Sequence, residues 1–244
     1  MRALETEQIV AIWEKGQGAL PADVAMLFLC AAFPGKAPKD LLPLTVGQRD
    51  ACVLRLRELT LGSHMEAMAE CPHCSEHVEF SFETADVQFG RLQEPVPLRH
   101  RLREDGWDVT FRPLTAADVM ALKRTPDVGA ARRSLIASSI LEVRHKSDPA
   151  TPDGLPEKLL DLIGAAIAEH DPQSEVPIRL NCPACGSSCS ILFDAAQFFF
   201  RELTAVAERI LSEVPILAKA YGWSESEILA MTPARRRFYL DAAG

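Results

Sequence analysis

The sequence has no apolar run near the roughly 20 residues that a membrane-spanning helix requires. Its opening, Met-Arg-Ala-Leu-Glu-Thr-Glu, lacks the apolar core of a secretory signal. We therefore expect a protein that stays in the cytoplasm and does not insert into a membrane. There is no nucleophile elbow, no glycine-rich phosphate loop and no His-Glu-x-x-His pattern, so the common hydrolase and nucleotide-binding signatures are missing. The expectation is a non-enzymatic protein without a small-molecule substrate. Positive charge is also scarce: 26 Lys and Arg stand against 34 Asp and Glu, a net charge of −8. Nucleic-acid modules tend to be basic, so nucleic acid is not an expected partner. The 244 residues, 48% of them hydrophobic, suffice for one large domain or two small ones.

Against these absences stand seven cysteines, four of them in two C-x2-C knuckles: Cys71 and Cys74 in Cys-Pro-His-Cys, Cys182 and Cys185 in Cys-Pro-Ala-Cys-Gly. Such pairs suit a reducing compartment and a metal better than disulfides. Together they supply the four sulfurs of a structural zinc site. The separation is unusual, because 107 residues lie between Cys74 and Cys182, whereas paired knuckles are commonly about 15–20 apart. The surroundings nevertheless repeat. A shift of 111 residues places Val78, Phe80 and Phe82 on Cys189, Ile191 and Phe193. Each knuckle is thus followed by an alternating stretch that reads as a strand, and residues 65–70 and 176–181 read as the strands before them. Strand, knuckle, strand, occurring twice, is a zinc ribbon split by an insertion. Closing such a loop costs roughly 4 kcal/mol plus a constant. Four-thiolate zinc contributes on the order of 10–16 kcal/mol in small peptides, so the metal term exceeds the closure term.

Elsewhere helices dominate the pattern. Residues 6–14 and 22–33 are helical, the second stopped by Pro34-Gly35. Thr45 and Gln48 form a capping box for a third helix, in which Cys52, Val53, Leu56 and Leu59 share a face and Gly62 is the stop. Cys30 and Cys52 are expected as core residues. Residues 96–102 and 107–111 alternate around Glu104-Asp105-Gly106, a hairpin signal. Thr115 with Asp118 opens another helix, followed by helices over about 129–143 and 156–169, with an exposed loop at 146–154 between these two. After the second knuckle, Phe199, Leu203, Val206, Ile210, Val214, Leu217 and Tyr221 form a long stripe. Pro215 predicts a kink or break there, and Gly222 ends the helix. Ser224 with Glu227, and Thr232 before Pro233, start two further helices.

Four thiolates leave no open position for substrate, which marks a structural rather than a catalytic site. His73, His77 and Cys189 lie close enough to replace a sulfur. For His73 the alternative is an exposed turn residue, and for Cys189 an apolar strand position. Arg99, Arg101 and Arg103 fall on alternate strand positions, which favours a protein interface or internal charge pairing. Arg235, Arg236 and Arg237 read as a solvated or partner-facing group. Phe198-Phe199-Phe200 projects in several directions, so it is either docked on a partner or covered by the ribbon.

Leu44-Thr-Val-Gly-Gln-Arg-Asp50, the leucine-rich helix after it and the first Cys-Pro-x-Cys together resemble the T-even phage baseplate protein family, related versions of which occur in phage-tail-like extracellular contractile injection systems. The C-terminal stretch from Ala220-Tyr-Gly-Trp-Ser to Leu240 is similar to the tail of those proteins. The resemblance covers residues 44–86 and 176–240. It implies a baseplate component or assembly protein that acts in the bacterial cytoplasm or in the particle, with other baseplate or tail subunits as partners. The alternative from the residues alone is a zinc-ribbon adaptor for nucleic acid or transcription machinery.

The expected architecture is α+β and mostly helical. It comprises an N-terminal helical region (1–64), a split zinc-ribbon-like β core (65–85 and 176–194), an insertion of hairpin plus helices (86–175) and a C-terminal helical arm (195–244). The metal ligands are Cys71, Cys74, Cys182 and Cys185, holding structural Zn2+.

Overall fold

The computed structural model describes residues 1–89, 97–122, 127–146 and 148–243. The chain is α+β, mostly helical, with small sheets. It begins with α1 (Thr6–Gly16), α2 (Pro21–Ala32), a single turn α3 (Pro38–Leu41) and α4 (Val46–Leu61). The hairpin β1 (His64–Glu70) and β2 (His77–Glu83) follows, then β3 (His100–Glu104) and β4 (Trp107–Phe111). Next come α5 (Ala116–Ala121), α6 (Val128–Ser139), β5 (Ile140–His145), β6 (Asp148–Pro149) and α7 (Glu157–His170). A second hairpin, β7 (Val176–Asn181) and β8 (Ser188–Phe193), leads into α8 (Ala195–Tyr221), α9 (Glu225–Leu229) and α10 (Pro233–Ala243). Among the described residues no helix is long and apolar enough to cross a membrane.

Two compact units are present: Met1–Lys36, Val53–Gly62 and Ala195–Gly244 form one, and Ala37–Cys52 with Ser63–Asp194 the other. The first is helical. Its centre is the stack of Phe28 on Phe199, ring centroids 4.4 Å apart, among buried Leu29, Leu56, Leu203, Ala207 and Leu217. Gly16 ends α1 against Phe200, and a Cβ there would lie 2.3 Å from the ring. Helices α2 and α1 thus cover Phe199 and Phe200; the sequence had pointed to a partner or the ribbon. Arg57, predicted by no pattern, is buried. It donates to Glu202 from Nε at 2.9 Å and to the Gly62 carbonyl at 2.7 Å. A buried guanidinium needs such partners, because an unpaired buried charge is very costly.

Helix α8 runs unbroken through Pro215, against the expected break. Proline removes one ladder bond, but Pro215 faces solvent, and Ile210 and Leu217 bury the opposite side on either side of it. The stripe ends earlier than expected, since Tyr221 is exposed. Gly222, at φ +71, closes the helix by donating to Ala218. Cys52 is buried, whereas Cys30 is only half-buried and is not a core residue.

In the second unit the sheet β3-β4-β5-β6 is antiparallel throughout. Asp105 and Gly106, at φ +48 and +81, make the two-residue turn between β3 and β4, the backbone that a right-twisted hairpin prefers. The strand starts at His100, so Arg99 precedes it; Val96 lies outside the described residues, as does Ser147 in the loop after β5. The helix expected over 129–143 ends at Ser139 and becomes β5. Ile-Leu-Glu-Val-Arg-His carries period-two burial around Val143 and completes the ladder of β4, and this tertiary pairing overrides the helical pattern. The exposed loop after β5 includes the short edge strand β6. One sheet face packs on α6 and α7 through Val109, Phe111, Val143, Ile136, Leu159 and Ile163.

Local capping follows the sequence closely. Thr45 and Gln48 exchange bonds of 3.1 Å at the start of α4. Thr115 and Asp118 do the same at α5. Burial opposes ionisation of Asp118, but hydrogen bonds from Arg112 and Thr115 outweigh it and bring the carboxyl down to about 2.

The Leu44–Asp50 segment is a structural anchor. Val46 donates to Leu114, and Ala116 to Leu44, both at 2.9 Å. Buried Asp171 accepts from Gly47 N–H at 2.8 Å, in the first turn of α4, where a carboxylate is favoured by the helix dipole. A Cβ on Gly47 would sit 2.0 Å from the Asp171 carboxylate, so only glycine permits this approach. Gly47→Ala should destabilise the protein by about 1–3 kcal/mol, and Asp171→Ala by about 1–2 kcal/mol through the lost cap. In urea titrations the double variant should lose less than the two single losses together, because both report one contact. Strict additivity would contradict the anchor.

Candidate metal centre

The two knuckles are built alike. Cys71 N–H donates to Glu76 O at 2.8 Å and Ser75 N–H to Cys71 O at 2.9 Å. In the second, Cys182 N–H donates to Ser187 O and Gly186 N–H to Cys182 O, both at 2.9 Å. Ser75 and Gly186 occupy the same position and are both left-handed, at φ +57 and +71. Each turn thereby points two sulfurs to one side.

The sulfurs meet crosswise. Cys71 Sγ lies 3.8 Å from Cys185 Sγ and Cys74 Sγ 3.6 Å from Cys182 Sγ. All four are within 4.8 Å of one another. Four thiolates at about 2.3 Å from one ion have tetrahedral edges of about 3.8 Å. The donor set and spacing therefore suit a soft divalent cation, while a disulfide would need sulfurs about 2.05 Å apart. Cys71 and Cys182 are buried beside Val78, and Cys74 and Cys185 are exposed.

The 111-residue repeat is carried into space as a local two-fold relation. It exchanges Cys71 with Cys182 and Cys74 with Cys185, which interchanges the two close sulfur pairs. Phe82 and Phe193, also equivalent by the shift, meet edge to face with centroids 5.7 Å apart. Met65 and Val176, equivalent again, are both buried.

At Cys74 a backbone hydrogen bond at Glu76 favours the thiolate, but desolvation and the three neighbouring sulfurs push the thiol up to about 12. At Cys185 the side chain and backbone of Ser187 bring it down to about 6. Crowded sulfurs without a cation thus divide into a proton holder and a thiolate. A divalent cation would remove this conflict by favouring deprotonation of all four. His73 and His77 are exposed and outside the sulfur group, and Cys189 is buried on β8 at the position matching Val78.

The other basic groups are largely satisfied internally. Arg101 and Arg103 both donate to Asp108 on the solvent face of the β3-β4-β5-β6 sheet, and the Arg101 bond leads in holding the Asp108 carboxyl near 2. Arg236 is buried and paired with Glu213, a correction to its reading as surface charge. Its partner is 23 residues away on another helix, and no local pattern marks the pair. The Asp171 anchor of Gly47 was equally invisible, at a separation of 124 residues.

The fold and site define an α+β protein whose two cysteine hairpins gather around a single four-sulfur cluster. Residues 23–201 match the model of the T4 bacteriophage base plate protein family, and the chain belongs to that family. The match takes in the insertion and α2, which lay outside the resemblance read from the sequence, and it stops before the Tyr-Gly-Trp-Ser tail. No curated protein and no solved structure matches the chain.

The crossed sulfur geometry has a direct check. Oxidation by diamide after chelation should yield at least one disulfide joining the two knuckles, recovered by peptide mapping. Exclusively intra-knuckle disulfides would contradict the crossed arrangement.

Proposed function

We propose that this chain is a non-enzymatic structural component or assembly protein of the baseplate of a phage-tail-like contractile injection system, folded around one structural zinc. The observation that carries the reading is the family match from 23 to 201, which includes both knuckles. The four clustered sulfurs support the metal part. Cys71, Cys74, Cys182 and Cys185 would hold Zn2+, whose role is to close the long insertion and fix both hairpins. A fully ligated ion has no position for water or substrate, which agrees with a structural role. The partners are other baseplate or tail subunits, met in the bacterial cytoplasm during assembly.

Quantitative mass spectrometry of purified particles, compared with a deletion strain, tests the role. A fixed ratio to the sheath protein makes the chain a resident subunit. Absence from particles that nevertheless fail to form without it makes it an assembly factor. Normal particles in the deletion strain would overturn the proposal.

The zinc has its own test. Purified protein should contain about one zinc per chain by elemental analysis, and Cys71→Ser or Cys182→Ser should lower both metal content and Tm. Structural zinc sites contribute folding free energy directly, so a loss of several kcal/mol is expected. Unchanged melting and metal content in both variants would remove zinc from the account. The nucleic-acid adaptor reading predicts binding that falls steeply with salt. The internal pairing of Arg101 and Arg103 with Asp108 speaks against it.

A further inference from the structure

The C-terminal helices carry a surface that the family match does not cover and that no structural requirement of the helical unit explains. The chain has only 2 tyrosines, and both are here, with one of its 3 tryptophans. Tyr221 stacks on Trp223 at 4.5 Å between centroids, and Tyr239 meets both edge-on, at 5.5 and 4.8 Å. Phe238 extends the group from Tyr239 at 5.5 Å. These rings are not core. Phe238 is 68% exposed and Tyr221 37%. A contiguous aromatic group left at the surface departs from ordinary burial.

The platform is rigid. Tyr221 Oη donates to the Tyr239 carbonyl at 3.1 Å. Beneath it, Ile228 and Met231 are buried, and Arg236 joins α10 to α8 through Glu213 while also donating to Met231 O. Ring orientations are therefore set before any partner arrives, which lowers the entropic cost of binding.

The charge around the rings is specific. Arg236 is consumed internally, but Arg235 and Arg237 on either side of it are exposed. Among the described residues neither forms an ion pair, although Arg235 lies over the Tyr239 ring at 5.8 Å. Most other arginines of this acidic chain have carboxylate partners, as Arg49, Arg55, Arg57, Arg101, Arg112 and Arg132 do. Tyr, Trp and Arg are also the side chains that concentrate binding energy at protein interfaces.

We propose that Tyr221, Trp223, Phe238 and Tyr239 with Arg235 and Arg237 form a docking platform for an acidic segment of a partner protein. The partner's apolar or aromatic side chains lie on the rings while its Asp or Glu carboxylates take the two free guanidinium forks. A nucleic acid fits less well, because two free arginines on a chain of net charge −8 give little phosphate attraction. The proposal deepens the baseplate reading by naming the surface and the chemistry of the partner subunit.

The test places p-benzoylphenylalanine at Phe238 in the full chain, expressed in the deletion strain, and maps the photo-crosslink by mass spectrometry. The expected product joins position 238 to an Asp/Glu-containing stretch of another protein. The crosslink should fall at least tenfold when Arg235→Glu and Arg237→Glu are added, with far-UV circular dichroism and Tm unchanged because both side chains are exposed and free of ion pairs. Arg235→Lys with Arg237→Lys should retain most of it. A crosslink to a second copy of this chain, to nucleic acid or to a segment without carboxylates would overturn the proposal. So would no crosslink, or one indifferent to the charge reversal. Particle formation in the deletion strain is scored separately, so normal particles there defeat the baseplate reading, whereas particles that depend on the chain without a charge-sensitive crosslink defeat the platform alone.

Discussion

Two pairs of cysteines 108 and 114 positions apart in their cross-pairs bring their sulfurs within 4.8 Å, and the second unit is arranged to make this possible. Such a meeting requires the ends of a long insertion to return to one place, and closure entropy alone opposes it. The insertion answers by folding around its own apolar centre of sheet and helices. It is then fixed at its far end, where Asp171 accepts from Gly47 just before β7 begins. The knuckles therefore do not have to restrain a loose chain of more than a hundred residues.

The local two-fold relation gives this arrangement its economy. Each hairpin turn aims two sulfurs outward and cannot satisfy a tetrahedral ion alone, whereas two identical turns facing each other can. The same relation sets Phe82 against Phe193 at the other end of the hairpins. An aromatic contact and a sulfur cluster thus hold one pair of hairpins at two points, and the aromatic contact needs no metal.

Function in this chain rests on presentation of surfaces. The exposed cations of the β3-β4-β5-β6 sheet are largely matched by neighbouring carboxylates, which leaves that face polar but balanced. The C-terminal helices differ, with rings in contact at the surface and two arginines without carboxylates. A protein whose family is defined by a particle substructure needs contacts of the second kind more than a cavity.

What the sequence determined by itself was whatever depends on neighbours a few residues away. The capping boxes at Thr45, Thr115 and Ser224, the glycine stops at Gly62 and Gly222, the Asp105-Gly106 turn and both knuckle hairpins were all legible, because caps and tight turns are local hydrogen-bond problems. The repeat of 111 residues made the four-sulfur site legible too, as a pairing of two similar halves. Tertiary structure alone decided the rest. Ile140–His145 became a strand because β4 offered a ladder, Arg57 and Arg236 became buried because Glu202 and Glu213 reached them from distant positions, and α8 passed through Pro215 because burial on its opposite side outweighed one missing bond. In each case the deciding partner lies far along the chain, and local periodicity carries no record of it.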